Sequence, residues 1–187
     1  MEKLQCYFEN IGFSGEVLHK ILNSFTLQAY KKNDFFVEYG RTSKHLGFVE
    51  SGMFQYYVIK DGEEITTYVS IENTFVASLL SFISQAPSRE SVRALTDAKV
   101  CLLSRTALQS LQSEVPAFKD FYIKLLEGAI CGIDDSRHDL IVLTAEQRYQ
   151  KMLRDEPHHL QQIPLQYLAS ILGVTPRHLS RIRKNIR

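Results

Sequence analysis

The sequence predicts an α+β protein with an N-terminal antiparallel β-roll, one long helix, and a small C-terminal all-α domain that contains a helix-turn-helix. Three observations predict this order of parts. Short runs of aromatic and β-branched residues, punctuated by glycines, fill the region from about Phe25 to Leu103. From about Pro116 the apolar residues recur at helical spacing. The last part, residues 164–187, divides into two short amphipathic helices around Gly173.

The β-region begins after one short helix. Residues 14 to 24 are expected to form that helix, with Ser14 as its cap. In the β-region, Asp61-Gly62 stands between two strand-like runs, which is a strong signal for a hairpin. Many short strands bounded by turns indicate a sandwich or barrel. We therefore expect residues 1–110 to form a small antiparallel β-roll, a double-stranded β-helix.

The long helix carries an apolar stripe that is wider than one helix beside a compact barrel can bury. Packing against the same helix of a second copy would bury the stripe and give a two-fold dimer. The alternative is that the helix docks on its own β-roll, and both arrangements can hold on different faces. Gly132 and the polar residues 134–138 are expected to mark a hinge, so residues 111–140 are assigned to a dimerisation helix and hinge. The predicted dimer interface consists of Phe118, Phe121, Tyr122, Leu125, Ala129 and Ile133.

The C-terminal domain, residues 141–187, has the sequence pattern of a helix-turn-helix. Pro164 suits the first turn of the first helix, and Gly173 suits its left-handed C-terminal position. Thr175 then caps a second helix, in which Pro176 takes the first position. In such a motif the second helix enters the major groove of DNA.

The second helix has an apolar side and a basic side. The apolar side is formed by Leu179, Ile182 and Ile186, and the basic side by Arg177, Arg181 and Lys184. Arginine can pair two donors with a guanine edge. The chain has 22 basic and 21 acidic residues, but five basic and no acidic residues follow from Thr175 onward, an asymmetry typical of DNA contact. We therefore expect double-stranded DNA as a partner, contacted by Thr175, Arg177, His178, Ser180, Arg181 and Lys184. A solvated, arginine-rich end of a purely structural helix pair is the alternative.

The remaining composition argues against several classes of protein. The cysteines, Cys6, Cys101 and Cys131, are scattered and form no Cys-x-x-Cys pair, so neither a disulfide framework nor a metal site is expected. No apolar run is long enough to span a bilayer and no signal peptide is recognisable, so we expect a cytoplasmic protein without a membrane partner. An enzyme is not expected, because metal-dependent β-barrels need several histidines and the β-region offers only His45.

The order of parts and three stretches of sequence resemble the catabolite-activator and fumarate–nitrate regulator (Crp/Fnr) family of bacterial transcription regulators. The stretches are the glycine-punctuated strands, residues 75–95 and residues 168–181, in which Ser180-Arg181 resembles the family's recognition-helix signature. The resemblance covers essentially the whole chain. It implies a homodimer that binds DNA, RNA polymerase as a further partner, and DNA contacts by Thr175 and the two arginines of the basic side.

In the sensor half the resemblance is weaker. Members that bind cyclic nucleotides carry Gly-Glu, and about ten residues later Arg-Ser or Arg-Thr. Here Ala77-Ser78 and Ser88-Arg89 stand in those places, so the carboxylate is absent and the arginine is displaced by one residue, toward the opposite face of an extended chain. We therefore expect a sensor domain that does not respond to cyclic AMP and holds no cofactor. The candidate effector pocket, for an apolar or weakly polar small molecule, consists of Phe48, Tyr57, Tyr68, Ala77, Ser78, Phe82, Ser88 and Arg89.

The sequence thus predicts a homodimeric DNA-binding transcription regulator with an effector-sensing β-roll. Most members of the family follow the recognition helix with a β-hairpin wing. This sequence has no evident wing before Arg187, so either affinity depends on the dimer and the C-terminal basic residues, or the sequence is truncated. The alternative function is a ligand-binding or protein-interaction β-roll with a vestigial helix-turn-helix.

Overall fold

The structure, a computed structural model, describes residues 1–186, apart from the side chain of His159. Within these residues the chain forms nine helices and eight strands. The helices are α1 (Glu2–Asn10), α2 (Gly15–Asn23), α3 (Leu79–Ser84), α4 (Arg105–Glu114), α5 (Pro116–Val142), α6 (Ala145–Asp155), α7 (Pro157–Gln162), α8 (Leu165–Ile171) and α9 (Pro176–Asn185). The strands are β1 (Thr26–Tyr30), β2 (Phe35–Val37), β3 (His45–Ser51), β4 (Phe54–Lys60), β5 (Glu63–Ser70), β6 (Phe75–Val76), β7 (Ser91–Ala94) and β8 (Ala98–Ser104). Arg187, the last residue of the predicted C-terminal domain, lies outside the described residues.

Two four-stranded antiparallel sheets form the predicted β-roll. The first sheet has the strand order β1-β8-β3-β6 and the second β2-β7-β4-β5, so β5 is an edge strand. Strands β4 and β5 are joined at Asp61-Gly62, where φ is +53° and +84°. Two successive left-handed residues make the turn that suits a two-residue hairpin, and the predicted hairpin is confirmed.

The interior of the roll is filled by apolar side chains from both sheets. In β8, Val100 and Leu102 face this interior, while Cys101 and Leu103 face the helices on the other side of the sheet, because side chains alternate along a strand. The interior cluster contains Tyr30, Val37, Val49, Phe54, Tyr56, Val76, Val92, Ala94, Ala98, Val100 and Leu102.

Helices α1, α2, α4 and the start of α5 pack on the outer face of the first sheet. Phe118 and Tyr122 of α5 belong to this helical cluster and are only 1% and 8% exposed. The first half of the long helix therefore docks on its own β-roll, as in the alternative given above. The second half, from Gly128 to Val142, projects with most of its side chains exposed.

The long helix continues without a break through Gly132 and residues 134–138, and the hinge expected there stays a prediction. The polar stretch is compatible with a helix because it forms ion pairs. One of them joins Asp135 to Lys151 of α6 at 2.6 Å. The helix ends instead at Val142, and a capping box starts α6 two residues later.

Helices α6 to α9 form the C-terminal domain around a third apolar cluster. Leu168, Leu172, Leu179 and Ile182 are fully or almost fully buried in it. The same cluster includes Val69, Ile71 and Leu95 of the β-roll, so the domain packs directly on the second sheet. Together the two sheets, the long helix and the C-terminal helices confirm the predicted fold class.

Candidate functional site

The predicted helix-turn-helix is formed by α8 and α9, with a tight turn between them. Gly173 takes the left-handed conformation, at φ +67°, that ends the first helix. The amide of Val174 donates to the carbonyl of Ala169 at 2.9 Å and closes the turn. The hydroxyl of Thr175 accepts from the amide of His178 at 3.2 Å, so Thr175 caps α9 as the sequence predicts.

Helix α9 separates an apolar face from a basic face. Leu179 and Ile182 pack into the domain core against α8. On the other face, four of the predicted DNA-contacting side chains are exposed and lie together: Arg177, His178, Arg181 and Lys184. This concentration of positive charge on a freely accessible helix suits the edges and phosphates of duplex DNA.

The two hydroxyls predicted to contact DNA have local partners. Thr175 is occupied as the cap of α9. The hydroxyl of Ser180 donates to the carbonyl of Pro176 at 2.9 Å, within the helix. The structure therefore gives both residues a role in shaping α9, whereas the three basic residues of its exposed face are exposed to solvent and have no ion-pair partner among residues 1–186.

Two arginines that the sequence reasoning missed orient α9. Arg148 of α6 donates to the carbonyls of Leu143 and Leu172, at 2.7 and 2.6 Å, and so ties the end of α5 to the end of α8. A cation at a helix C-terminus is favourable because the last carbonyls are otherwise unpaired. Arg183 lies over the ring of Tyr149, with 5.7 Å between the guanidinium carbon and the ring centre. The contacts of Arg148 with Leu172 and of Arg183 with Tyr149 join residues distant in sequence, so no local pattern could reveal them.

Two residues of the predicted effector pocket come together between β6 and β7 with Glu90, which was not predicted. The hydroxyls of Ser78 and Ser88 lie 2.9 Å apart and are almost fully buried. Ser78 also donates to the carboxylate of Glu90 at 3.3 Å. Burial raises the pKa of Glu90, against the opposite effect of the hydrogen bond from Ser78. Ser78 and Ser88 stand where the cyclic nucleotide sites of the resembled family have their glutamate and their arginine. In this protein the two side chains are hydrogen-bonded to each other.

Tyr56 extends this polar cluster into the roll. Its phenol oxygen accepts from the amide of Ala77 at 3.0 Å and from the hydroxyl of Ser70 at 3.3 Å. Burial raises the pKa of the Tyr56 phenol, which stays neutral at ordinary pH. We call Tyr56, Ser70, Ala77, Ser78, Ser88 and Glu90 the sensor cluster.

Of the other predicted pocket residues, Tyr68 contacts the sensor cluster, whereas Phe48, Phe82, Tyr57 and Arg89 lie in other surroundings. Phe48 and Phe82 belong to the helical cluster outside the roll. The guanidinium carbon of Arg93 lies over the ring of Tyr57, 4.7 Å from the ring centre. The side chain of Arg89 is exposed. The ring of Tyr68 is exposed and packs edge-on against Tyr56, with 5.5 Å between centroids.

The predicted dimer residues divide between two environments. Phe118 and Tyr122 lie in the core of their own protomer and are not accessible to a second chain. Phe121, Leu125 and Ala129 are half-buried. Ile133 is exposed, as are four other large apolar residues of the second half of α5 and one of the first half: Ile130, Leu140, Ile141 and Val142, and Ile123.

Comparison with known proteins assigns the β-roll to a family. Residues 27–114 match the cyclic nucleotide-binding domain family. No curated protein sequence matches the chain significantly. Within residues 1–186 no helix is both long and apolar enough to cross a membrane.

Several solved structures share the fold over most of the chain. FixK2 from Bradyrhizobium japonicum is 17% identical, with a TM-score of 0.71 over 87% of this chain and 84% of that one. A variant of CooA from Carboxydothermus hydrogenoformans is 18% identical, with a TM-score of 0.68 over 88% and 77%. The catabolite activator protein of Thermus thermophilus is 20% identical, with a TM-score of 0.61 over 94% and 84%.

Residues 27–114 are therefore similar to the cyclic nucleotide-binding domain family. The chain as a whole shares its fold with these solved structures, and this is the fold that the resemblance seen in the sequence implies.

Proposed function

We propose that the protein is a homodimeric DNA-binding transcription regulator whose β-roll senses an effector other than a cyclic nucleotide. The observation that carries the proposal is the exposed basic face of α9, with Arg177, Arg181 and Lys184 free on a helix whose other face is buried. The regulators that share the fold support the same reading. Such a protein acts in the cytoplasm with RNA polymerase as a further partner, and carries out no catalysis.

The exposed half of α5 supports the dimer. Ile123 and Ile130 are seven residues apart, and so are Ile133 and Leu140. A seven-residue repeat of apolar side chains is the pattern of two helices that pack side by side. Exposure of so many apolar side chains to water is energetically unfavourable in a monomer. Packing against the same helix of a second copy removes these side chains from water. The proposed interface therefore keeps Ile133 and extends along the exposed residues Ile123, Ile130 and Leu140, without the buried Phe118 and Tyr122.

The sensor cluster supports an effector that is not a cyclic nucleotide. A cyclic phosphate needs a cation or free amide donors when it is buried. Instead, the carboxylate of Glu90 stands beside Ser78 and Ser88, and Arg89 is exposed. A negative group in the phosphate position repels a cyclic nucleotide, and the hydrogen bond between the two serines closes the space.

Duplex binding tests the proposal. The parent protein should bind a duplex of random sequence in a salt-dependent way, and selection from a random pool should return a two-fold symmetric site with half-sites about one helical turn apart. Arg181→Ala should weaken binding to the selected site by about 1–3 kcal/mol and relax base choice at one position. Lys32→Ala is the control, because Lys32 is an exposed lysine of the β-roll that is distant in sequence from α9. Absence of salt-dependent duplex binding by the parent favours the β-roll with a vestigial helix-turn-helix.

A further inference from the structure

A serine of the C-terminal domain is hydrogen-bonded to the edge of the second sheet. The hydroxyl of Ser170, on α8, accepts from the amide of Thr66 at 2.8 Å and lies 3.4 Å from the carbonyl of the same residue. Thr66 is in β5, the edge strand, whose outer amides and carbonyls have no strand to pair with. At this residue of the sheet edge, Ser170 thus makes the hydrogen bonds that a neighbouring strand would otherwise make.

Apolar contacts reinforce this hydrogen bond. Val69, Ile71 and Leu95 of the β-roll are buried in one cluster with the core of the C-terminal domain. Half-buried Met53 packs against the same cluster. The docking of the two domains is therefore a specific contact with its own apolar core and its own hydrogen bond.

Docking brings an acidic hairpin beside the first turn of α9. A groove of about 630 Å³ separates the β4–β5 hairpin from the helix-turn-helix. Its hairpin side is formed by Glu63, Glu64 and Ile65, and its other side includes Thr175, Pro176 and His178. Glu64 is paired with Arg93 at 2.6 Å. Glu63 is exposed and has no ion-pair partner within residues 1–186.

The free carboxylate of Glu63 therefore stands where DNA must approach. The N-terminal turn of the second helix in a helix-turn-helix contacts base edges and lies close to backbone phosphates. A carboxylate across a water-filled groove repels those phosphates over a distance set by the Debye length, about 10 Å at 0.1 M salt. The same carboxylate attracts the basic face of α9 and so competes with DNA for it.

We propose that the β4–β5 hairpin, held in place by the Ser170–Thr66 contact, is an intramolecular brake on DNA binding that acts through Glu63. This inference rests on the proposed DNA-binding function. On this proposal, Glu63 of the sensor half opposes DNA binding electrostatically. The opposition ends when the C-terminal domain leaves β5 or when Glu63 is replaced by a neutral residue.

The first test measures duplex affinity by fluorescence anisotropy with a random-sequence duplex of about 30 base pairs. Glu63→Gln should bind about threefold to tenfold more tightly than the parent at low salt, and the gain should shrink as salt rises. Glu16→Gln is the matched control, because Glu16 is an exposed glutamate on α2, whose neighbours belong to the N-terminal helical cluster. Equal affinity of Glu63→Gln and the parent overturns the brake.

The second test reports on docking without DNA. Ser170→Ala removes the hydroxyl that bonds the Thr66 amide, so that amide should exchange its hydrogen faster in the full chain, and duplex affinity should rise. The Val115 amide, which donates to the carbonyl of Leu111 at 2.9 Å within the helical cluster on the first sheet, is the internal reference and should not change. Unchanged exchange at Thr66 overturns the docking contact. If neither the parent nor either variant binds any duplex, the proposed function fails and the brake with it, while the exchange result still decides whether the contact forms.

Discussion

Replacing Ile130 by aspartate tests the proposed dimer most directly. Ile130 is 64% exposed in the protomer, so its side chain contributes little to the fold of a single chain. Complete burial of an isoleucine side chain is worth about 1.5–3 kcal/mol, and burial of the exposed part of Ile130 is therefore worth about 1–2 kcal/mol. In a two-fold dimer both copies are changed, so the interface loses about 2–4 kcal/mol.

That loss sets the expected change in association. Each 1.4 kcal/mol is a factor of ten, so Ile130→Asp should raise the dimer dissociation constant by about 30-fold to 700-fold. Placing two carboxylates close together in an apolar interface adds to the effect. Leu125 is a poorer choice, because it is half-buried within its own protomer and a charge there would also destabilise the fold.

Sedimentation velocity over a micromolar concentration series measures the change. The parent should sediment as a dimer and Ile130→Asp mainly as a monomer, with an unchanged circular dichroism spectrum. Ile59→Asp, which alters an equally exposed isoleucine on β4, should remain dimeric. A monomeric parent, or an Ile130→Asp variant that dimerises like the parent, would refute the assignment of this surface.

Three further predictions concern stability and the sensor. Leu179→Ala empties a fully buried site in the C-terminal core and should cost about 2–5 kcal/mol, measured by urea unfolding. Burial raises the pKa of Glu50, but the hydrogen bond from the Leu4 amide, the charge of the N-terminal ammonium and the hydrogen bonds from the Cys101 thiol and the Lys3 amide together hold that pKa below its ordinary value. The stabilisation by Glu50 should be present above about pH 4.3 and lost as pH falls through the depressed pKa, so Glu50→Gln should melt lower than the parent at pH 7 but not in acid. Millimolar cyclic AMP should leave the melting temperature unchanged. A ligand at 100 times its dissociation constant would add about 2.7 kcal/mol, so an upward shift would contradict the closed sensor cluster around Glu90.

The broad fold could be predicted because local patterns determine it. The Asp61-Gly62 turn, the aromatic strands and the caps of α9 are each encoded within a few residues, and the structure forms them where expected. Several short helices, including α1 and α4, were not predicted. They contain few apolar residues, and they are stabilised mainly by packing those residues on the outer face of the first sheet. The polar residues at which the sequence predicts a hinge lie within the continuous helix α5, where Asp135 and Asp139 form ion pairs with Lys151 of α6.

The sites were predictable only in part. The basic face of α9 follows from helical period, and its exposure requires only that the opposite face be buried. The sensor cluster forms only when the fold brings Tyr56 beside Ala77. The docking contact forms only when Thr66 lies beside Ser170, and these two residues are 104 positions apart in the sequence. Such pairs depend on strand register and domain packing, so a single sequence carries no local signal for them.

Strand β5 takes part in both halves of the molecule. Near its end, the hydroxyl of Ser70 bonds the phenol of Tyr56 and thereby belongs to the sensor cluster. Four residues earlier, the amide of Thr66 bonds Ser170 of the C-terminal domain. A register shift opposite Tyr56 and Tyr57 lies between these two points, where the strand is least regular. An effector that separates Tyr56 from its partners therefore acts on the strand that also holds the DNA-binding half, in addition to any effect transmitted along α5.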